Sequence, residues 1–223
     1  MSDADAALSE IERRLHRVLI EGVLATGEVP GSTALAATAG IDVAEVPTRL
    51  AMLAAADYLG LDPDGRVTCL YPFSPTPTPH VVVIGDDRRY AMCAIDALGI
   101  AAMLGQAVTI EGICAVCREP IRLDVEPGRI VRAEPGETVV VARRDRDTPA
   151  VKTCCPFTLF ACGPAHGEEF AAWVSGTGVL VLDEALVSGE TVFGDFLADV
   201  LPARRRRAPE TRARERDQTV PSR

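Results

Sequence analysis

The sequence predicts an α+β protein: an N-terminal winged-helix-like three-helix domain, then a mixed antiparallel β-sheet and helix domain that carries the chemistry. Three observations point there. Apolar side chains recur at helical spacing up to about residue 59, and antiparallel strand-like runs with turn signals occupy 108–142. Between them lies a proline-rich run, Pro72-Phe73-Ser74-Pro75-Thr76-Pro77-Thr78-Pro79. The boundaries are 1–71 for the first domain, 72–80 for an extended linker, 81–201 for the second domain and 202–223 for a basic tail.

The elements follow in order. Leu8, Ile11, Leu15, Val18, Leu19 and Val23 make one apolar face of a helix over 6–25. Ser32 opens a short helix through Ala39 that Gly40 stops, and Asp42 caps a third helix over Val43–Leu59. Asp62-Pro63-Asp64-Gly65 is a turn joining Leu59-Gly60-Leu61 to a strand over 67–71, the wing of a winged helix. In the second domain, Val81–Ile84 reads as a short strand and Asp87 as the cap of a helix running to about Leu104. Strands follow over 108–113, 121–125, 130–133 and 138–142, and Lys152–Cys162 is a further strand-like run. A helix over 168–174, a strand over 178–182 and a last helix over 191–201 complete the reading.

Composition narrows the function classes. The 223 residues are 48% hydrophobic and 25% charged, ordinary for a globular protein with a sizeable core. No run approaches the roughly 18 apolar residues of a membrane span. The acidic start Met1-Ser2-Asp3-Ala4-Asp5 lacks the features of a signal peptide, so a cytoplasmic protein is expected. The net charge is −9, yet the tail holds eight arginines against three acids and reads as disordered and solvated. Residues 1–80 carry five arginines against eleven acids, and Arg49 is the sole cation on the would-be recognition helix. Phosphates repel such a face, which argues against nucleic acid as a partner.

In a reducing compartment the seven cysteines speak for metal or nucleophile chemistry rather than disulfides. Cys93 and Asp96 are three residues apart, one helical face, about 5–6 Å between Cβ atoms. In the first turns of the helix after Asp87, backbone N–H groups and the helix dipole would favour a Cys93 thiolate. Asp96 beside it could receive and return a proton. Cys154 and Cys155 are adjacent, and neighbours in a strand face opposite ways, so one of the two should reach any given site. Cys114-Ala115-Val116-Cys117 is a C-x-x-C at a hairpin tip, half of a zinc site by spacing. Cys69 and Cys162 have no spaced partner and read as small buried hydrophobes.

The run Arg88-Arg89-Tyr90-Ala91-Met92-Cys93-Ala94-Ile95-Asp96-Ala97-Leu98, then Cys114, then Cys154-Cys155-Pro156-Phe157-Thr158-Leu159-Phe160, resembles the alkylmercury (organomercurial) lyase family over about residues 80–201. The resemblance implies that Cys93 attacks mercury, that Asp96 transfers the proton and that Cys154 is the second mercury-holding thiol. It gives Cys155 a lesser role in holding the metal and Cys114 a structural one. Met92 stands where family members commonly have tryptophan, and Pro156-Phe157-Thr158 replaces a histidine-bearing stretch. Cys117 has no counterpart associated with the family. The implied reaction is protonolysis of a carbon–mercury bond, giving a hydrocarbon and Hg(II) held by Cys93 and Cys154. No organic cofactor is implied, and the product would pass to a mercuric reductase or to cellular thiols. The alternative is a non-catalytic metal-binding or sensor protein holding zinc or another thiophilic ion through Cys114, Cys117, Cys154 and Cys155.

Overall fold

The computed structural model describes residues 8–143 and 150–194. The basic tail and the second half of the helix expected over 191–201 lie outside the described residues.

Three helices open the chain: α1 (Glu10–Thr26), α2 (Ser32–Ala39) and α3 (Val46–Ala55). Ser9 and Glu12 form a reciprocal capping box on α1, satisfying backbone donors that a helix start leaves open. Gly27 and Gly40 close α1 and α2 in left-handed conformations that other residues rarely adopt. Asp42 caps as expected, accepting from the Ala44 amide at 2.8 Å, but it starts a 3₁₀ turn that leads into α3. The third helix ends at Ala55 rather than near Leu59, because Asp57 turns left-handed (φ 59°) and releases Leu59 into a strand. Leu15, Leu19, Leu53 and Val46, all fully buried, weld the three helices. Arg49, the lone cation of α3, bridges Glu12 at 2.7 Å and Glu45 at 3.0 Å.

Two antiparallel sheets follow. The larger runs β1 (Leu59–Leu61), β2 (Val67–Leu70), β3 (Phe73–Ser74), β5 (Asp87–Ala91), β4 (Val81–Ile84), β6 (Val108–Ile113), β7 (Pro120–Glu126) and β8 (Arg129–Glu134) from edge to edge. The smaller has β9 (Val139–Arg143) between β10 (Leu159–Ala161) and β11 (Thr177–Val181). The expected α+β class with antiparallel sheets is therefore observed. The run 72–80 contributes β3, and the wholly buried Phe73 pairs with Leu70 on one side and Ala91 on the other. The β1–β2 hairpin is thereby continuous with the large sheet.

The remaining helices are α4 (Ala94–Leu104), α5 (Ala150–Thr153), α6 (Pro164–Trp173) and α7 (Leu182–Phe193). The helix expected to start at Asp87 starts at Ala94, because residues 87–91 pair with β4 through a two-residue Gly85-Asp86 turn. Burial in that strand falls on Arg89 and Ala91. The Arg89 guanidinium turns inward and donates to the carbonyls of Val23 (2.8 Å) and Leu24, tying β5 to the end of α1. The last helix begins at Leu182, with Asp183 and Glu184 favouring its positive N-terminal end.

Helix α4 packs on β5, β6 and β7 of one sheet, on β9 of the other, and most extensively on α7. The α4–α7 crossing works because two glycines meet. A Cβ on Gly189 would lie 2.6 Å from the Ile95 carbonyl oxygen, and one on Gly99 would lie 2.7 Å from that of Gly189. Gly189→Ala is therefore expected to push α7 off α4 and to cost about 1–3 kcal/mol, seen as a lowered thermal midpoint. An unchanged midpoint would show that the crossing has slack. Among the described residues no helix is long and apolar enough to cross a membrane.

Candidate active site

Helix α4 begins where the chemistry does. Cys93 is its N-cap in extended conformation (φ −152°, ψ 178°), and its Sγ accepts from the Asp96 amide at 3.4 Å. The sulfur thus takes the place that a serine or aspartate oxygen usually fills, facing open N–H groups. Asp96, at the third helical position, is brought beside it by one turn of helix. The two share a face as the sequence reading expects, with Cys93 at the cap instead of inside the first turn.

The opposing wall comes from about sixty residues later. Cys154 and Cys155 lie in neither a strand nor a long helix. Cys154 follows the single turn of α5, and Cys155–Phe157 is a 3₁₀ turn opened by Pro156. One hydrogen bond ties this turn to α4 and a second closes the turn on itself. The Ala94 amide donates to the Thr158 carbonyl at 3.1 Å, and the Thr158 hydroxyl donates to the Cys154 carbonyl at 3.0 Å. A polar residue buried between two segments is satisfied on both sides.

The turn places Cys155, not Cys154, with the α4 pair. One sulfur from each of Cys93 and Cys155 and one oxygen of Asp96 lie within 4.8 Å of one another, and all three residues are buried. Cys155 Sγ is 3.9 Å from Asp96 Oδ2 and 3.9 Å from the Tyr71 hydroxyl. Cys154 is half-buried, one residue outside this group. The rule that only one of the pair faces the site holds, but the helical Cys154 backbone, unlike a strand, turns the second thiol inward.

Burial dominates the protonation of this group. It pushes Asp96 up to about 7 from the ordinary 3.8, against hydrogen bonds from the Cys93 and Cys155 thiols that pull the other way. It also pushes the Cys93 thiol well above its ordinary range, helped by the Cys155 hydrogen bond and the negative charge of Asp96. The expected depression of Cys93 by the helix dipole is thus outweighed: a terminal dipole is a modest effect beside full removal from water. The resting trio holds a neutral thiol beside a carboxyl group balanced near neutrality.

Tyr71, whose hydroxyl faces Cys155, was not legible as a site residue. It follows the end of β2, and nothing in its local sequence announces the contact. Cys69 is fully buried and pushed up to about 12 by burial, as a small core thiol should be.

A second group of thiols forms elsewhere. Cys114 and Cys117 meet Cys162 and His166, whose ligand atoms also fall within 4.8 Å of one another. The alternative four-thiolate set of Cys114, Cys117, Cys154 and Cys155 does not form. The C-x-x-C turns toward the end of β10, while the thiol pair belongs to the α4 face.

The alkylmercury lyase family model matches residues 73–194, which includes both walls of the buried trio. An alkylmercury lyase of Bacillus cereus is 35% identical over 176 residues, 78% of each chain. One of Clostridium butyricum shows the same identity and coverage. The one from Pseudomonas putida is 28% identical over 124 residues, 55% of this chain and 58% of its own. Among solved structures, the mercury-bound form of MerB2 superimposes with a TM-score of 0.72, covering 87% of this chain and 95% of that one at 22% identity. The motif that joins Cys93 to Asp96, the thiol pair that folds onto them and a matched region spanning more than half of the sequence all lead to one family. This chain belongs to the alkylmercury lyases.

Proposed function

We propose that the chain cleaves carbon–mercury bonds in organomercurials by protonolysis, with Cys93, Asp96 and the Cys154–Cys155 pair as its working groups. The observation that carries this reading is the buried convergence of two sulfurs and one carboxyl group within 4.8 Å. Mercury(II) is soft and favours thiolate ligands, and it can exchange them one at a time.

The reaction balances as follows. An organomercurial R–Hg–X exchanges X⁻ for a cysteine thiolate, and the half-buried Cys154 is the thiol of the pair nearest to solvent. Transfer inward puts R–Hg on Cys93, whose thiol proton moves to Asp96. Cys155 adds as a further sulfur ligand and loses its own proton, which raises electron density on mercury and weakens the Hg–C bond. The electron pair of that bond goes to carbon, which takes a proton from Asp96. The products are RH, X⁻, one released proton and Hg(II) bound by two thiolates. A carboxyl group near pH 7 suits this shuttle, since it must first accept and then donate.

This reading shifts the inner second sulfur from Cys154 to Cys155 and keeps Cys154 as the entry thiol. Serine replacements separate the roles. Cys155→Ser is expected to accept the organomercurial but to release hydrocarbon at least about a hundredfold more slowly. Cys154→Ser should slow capture at low substrate and recover when substrate is abundant. A Cys155→Ser enzyme with full turnover beside a dead Cys154→Ser enzyme would reverse the two roles.

The three helices and β1–β2 support the winged-helix-like reading of residues 1–71, used here as a buttress. Arg49 is already engaged by Glu12 and Glu45, which supports a role other than nucleic-acid contact. A reducing, cytoplasmic setting suits a mechanism that needs every thiol reduced. Release of Hg(II) to small cellular thiols or to a mercuric reductase is the exit that the chemistry calls for.

A further inference from the structure

We propose that Cys114, Cys117, Cys162 and His166 form a closed, structural zinc(II) site that rivets the two sheets together. The reaction above uses none of these residues. Cys117 Sγ and Cys162 Sγ are 3.7 Å apart, and His166 Nδ1 is 3.6 Å from Cys114 Sγ and 2.9 Å from Cys162 Sγ. Around a tetrahedral zinc with Zn–S near 2.3 Å and Zn–N near 2.0 Å, neighbouring sulfurs stand about 3.8 Å apart and sulfur and nitrogen about 3.5 Å. Two of the three distances match those edges, and the third needs a small outward movement of the imidazole.

The backbone is shaped for the purpose. Cys114-Ala115-Val116-Cys117 forms a turn between β6 and β7 in which the Arg118 amide donates to the Cys114 carbonyl at 3.1 Å. Arg118 itself is left-handed (φ 66°), a strained choice for a residue with a side chain. This folds the chain back so that the Cys117 thiol meets the Cys114 thiol, with the ligand atoms of Cys162 and His166 beside them. The second half comes from Cys162, just after β10, and from His166 in the first turn of α6. Their spacing, C-x₃-H, is joined to C-x₂-C by the Ala115 amide, which donates to the Phe160 carbonyl at 2.9 Å.

Four protein ligands leave no open coordination position, so the ion would be structural rather than catalytic. Two of the ligands lie in the turn between β6 and β7 of the large sheet, and two follow β10 of the small sheet, the second of them in α6. The site also anchors the far end of β10, whose near end follows the turn bearing Cys155. Zinc here would therefore hold the inner thiol in register with α4 without touching the substrate.

The test is metal analysis of the full-length protein, produced with zinc in the medium and purified without chelator. About one zinc per chain is expected, lost in Cys117→Ser and in His166→Ala and retained in Cys154→Ser and Cys69→Ser. Cys117 is exposed, so its serine variant should still fold, and circular dichroism checks that. Cobalt(II) added to the metal-free protein should give the intense visible bands of a tetrahedral thiolate complex, absent in Cys117→Ser. Protein that holds no zinc and gives no such bands would overturn the proposal, as would zinc that persists in both Cys117→Ser and His166→Ala. Because no organomercurial enters these measurements, their outcome is independent of whether the lyase reaction proceeds as proposed.

Discussion

Cys93→Ser is expected to lose release of hydrocarbon from an organomercurial by about a thousandfold or more. The size follows from what the sulfur does. It is the thiol at the cap of α4, it lies within reach of both Asp96 and Cys155, and no other thiol among the described residues shares that position. Serine would preserve the cap, since a hydroxyl accepts from the Asp96 amide at least as well as sulfur does. Stability should therefore change little while catalysis collapses. A hard hydroxyl has scant affinity for a soft metal, so loss of function without loss of fold is the signature of a ligand role. Gas chromatography of the released hydrocarbon, with thermal unfolding as the control, reads both. Wild-type turnover in this variant would remove Cys93 from the mechanism.

Asp96→Asn should cost about 10²–10⁴-fold in turnover while leaving capture of the organomercurial intact, because only the proton path is cut. Its pH profile separates a proton role from a structural one. In the wild-type enzyme Asp96 must be ionised to accept the thiol proton, so kcat/KM should rise as pH passes through about 7. The amide cannot titrate, and that limb should vanish. Stability moves the other way. Asp96 has its folded pKa raised from 3.8 to about 7 by burial, so its neutral form suits the core. That contribution is present below the ordinary carboxyl range and is lost as pH rises toward 7. Asp96→Asn should flatten this loss and unfold at higher temperature than wild type at neutral pH. Equal pH profiles for the two proteins would show that Asp96 moves no proton.

Much of this arrangement was legible in the residues. Strands β6 to β9 are apolar or alternating runs separated by proline- and glycine-bearing turns, and β7 alternates clearly, so their limits fall within a residue or two of those expected. The pairing of Cys93 with Asp96 survived a wrong helix start because i and i+3 converge whether Cys93 lies at the cap or inside the helix. The start itself was misplaced because Asp87 resembles a cap. The Gly85-Asp86 pair was the stronger signal, being a two-residue hairpin turn between β4 and β5. Which cysteine of the pair turns inward depends on a single helical residue before Pro156, a tertiary choice with no strong local signature. Cys162 and His166 each look solitary in the sequence, and tertiary contacts such as the hydrogen bond from Ala115 to Phe160 bring the C-x₃-H beside the C-x₂-C. Arg89 shows the same limit. A charged residue in a strand reads as exposed, yet its guanidinium is buried because the end of α1 offers it open carbonyls.

The most direct test of the account is mass spectrometry of the intact protein after incubation with one equivalent of an organomercurial. The expected product carries the added mass of one mercury atom and no organic group, with hydrocarbon recovered in equal amount, and Cys93→Ser yields no such product. A stable adduct that keeps its organic group, with no hydrocarbon released, would contradict it.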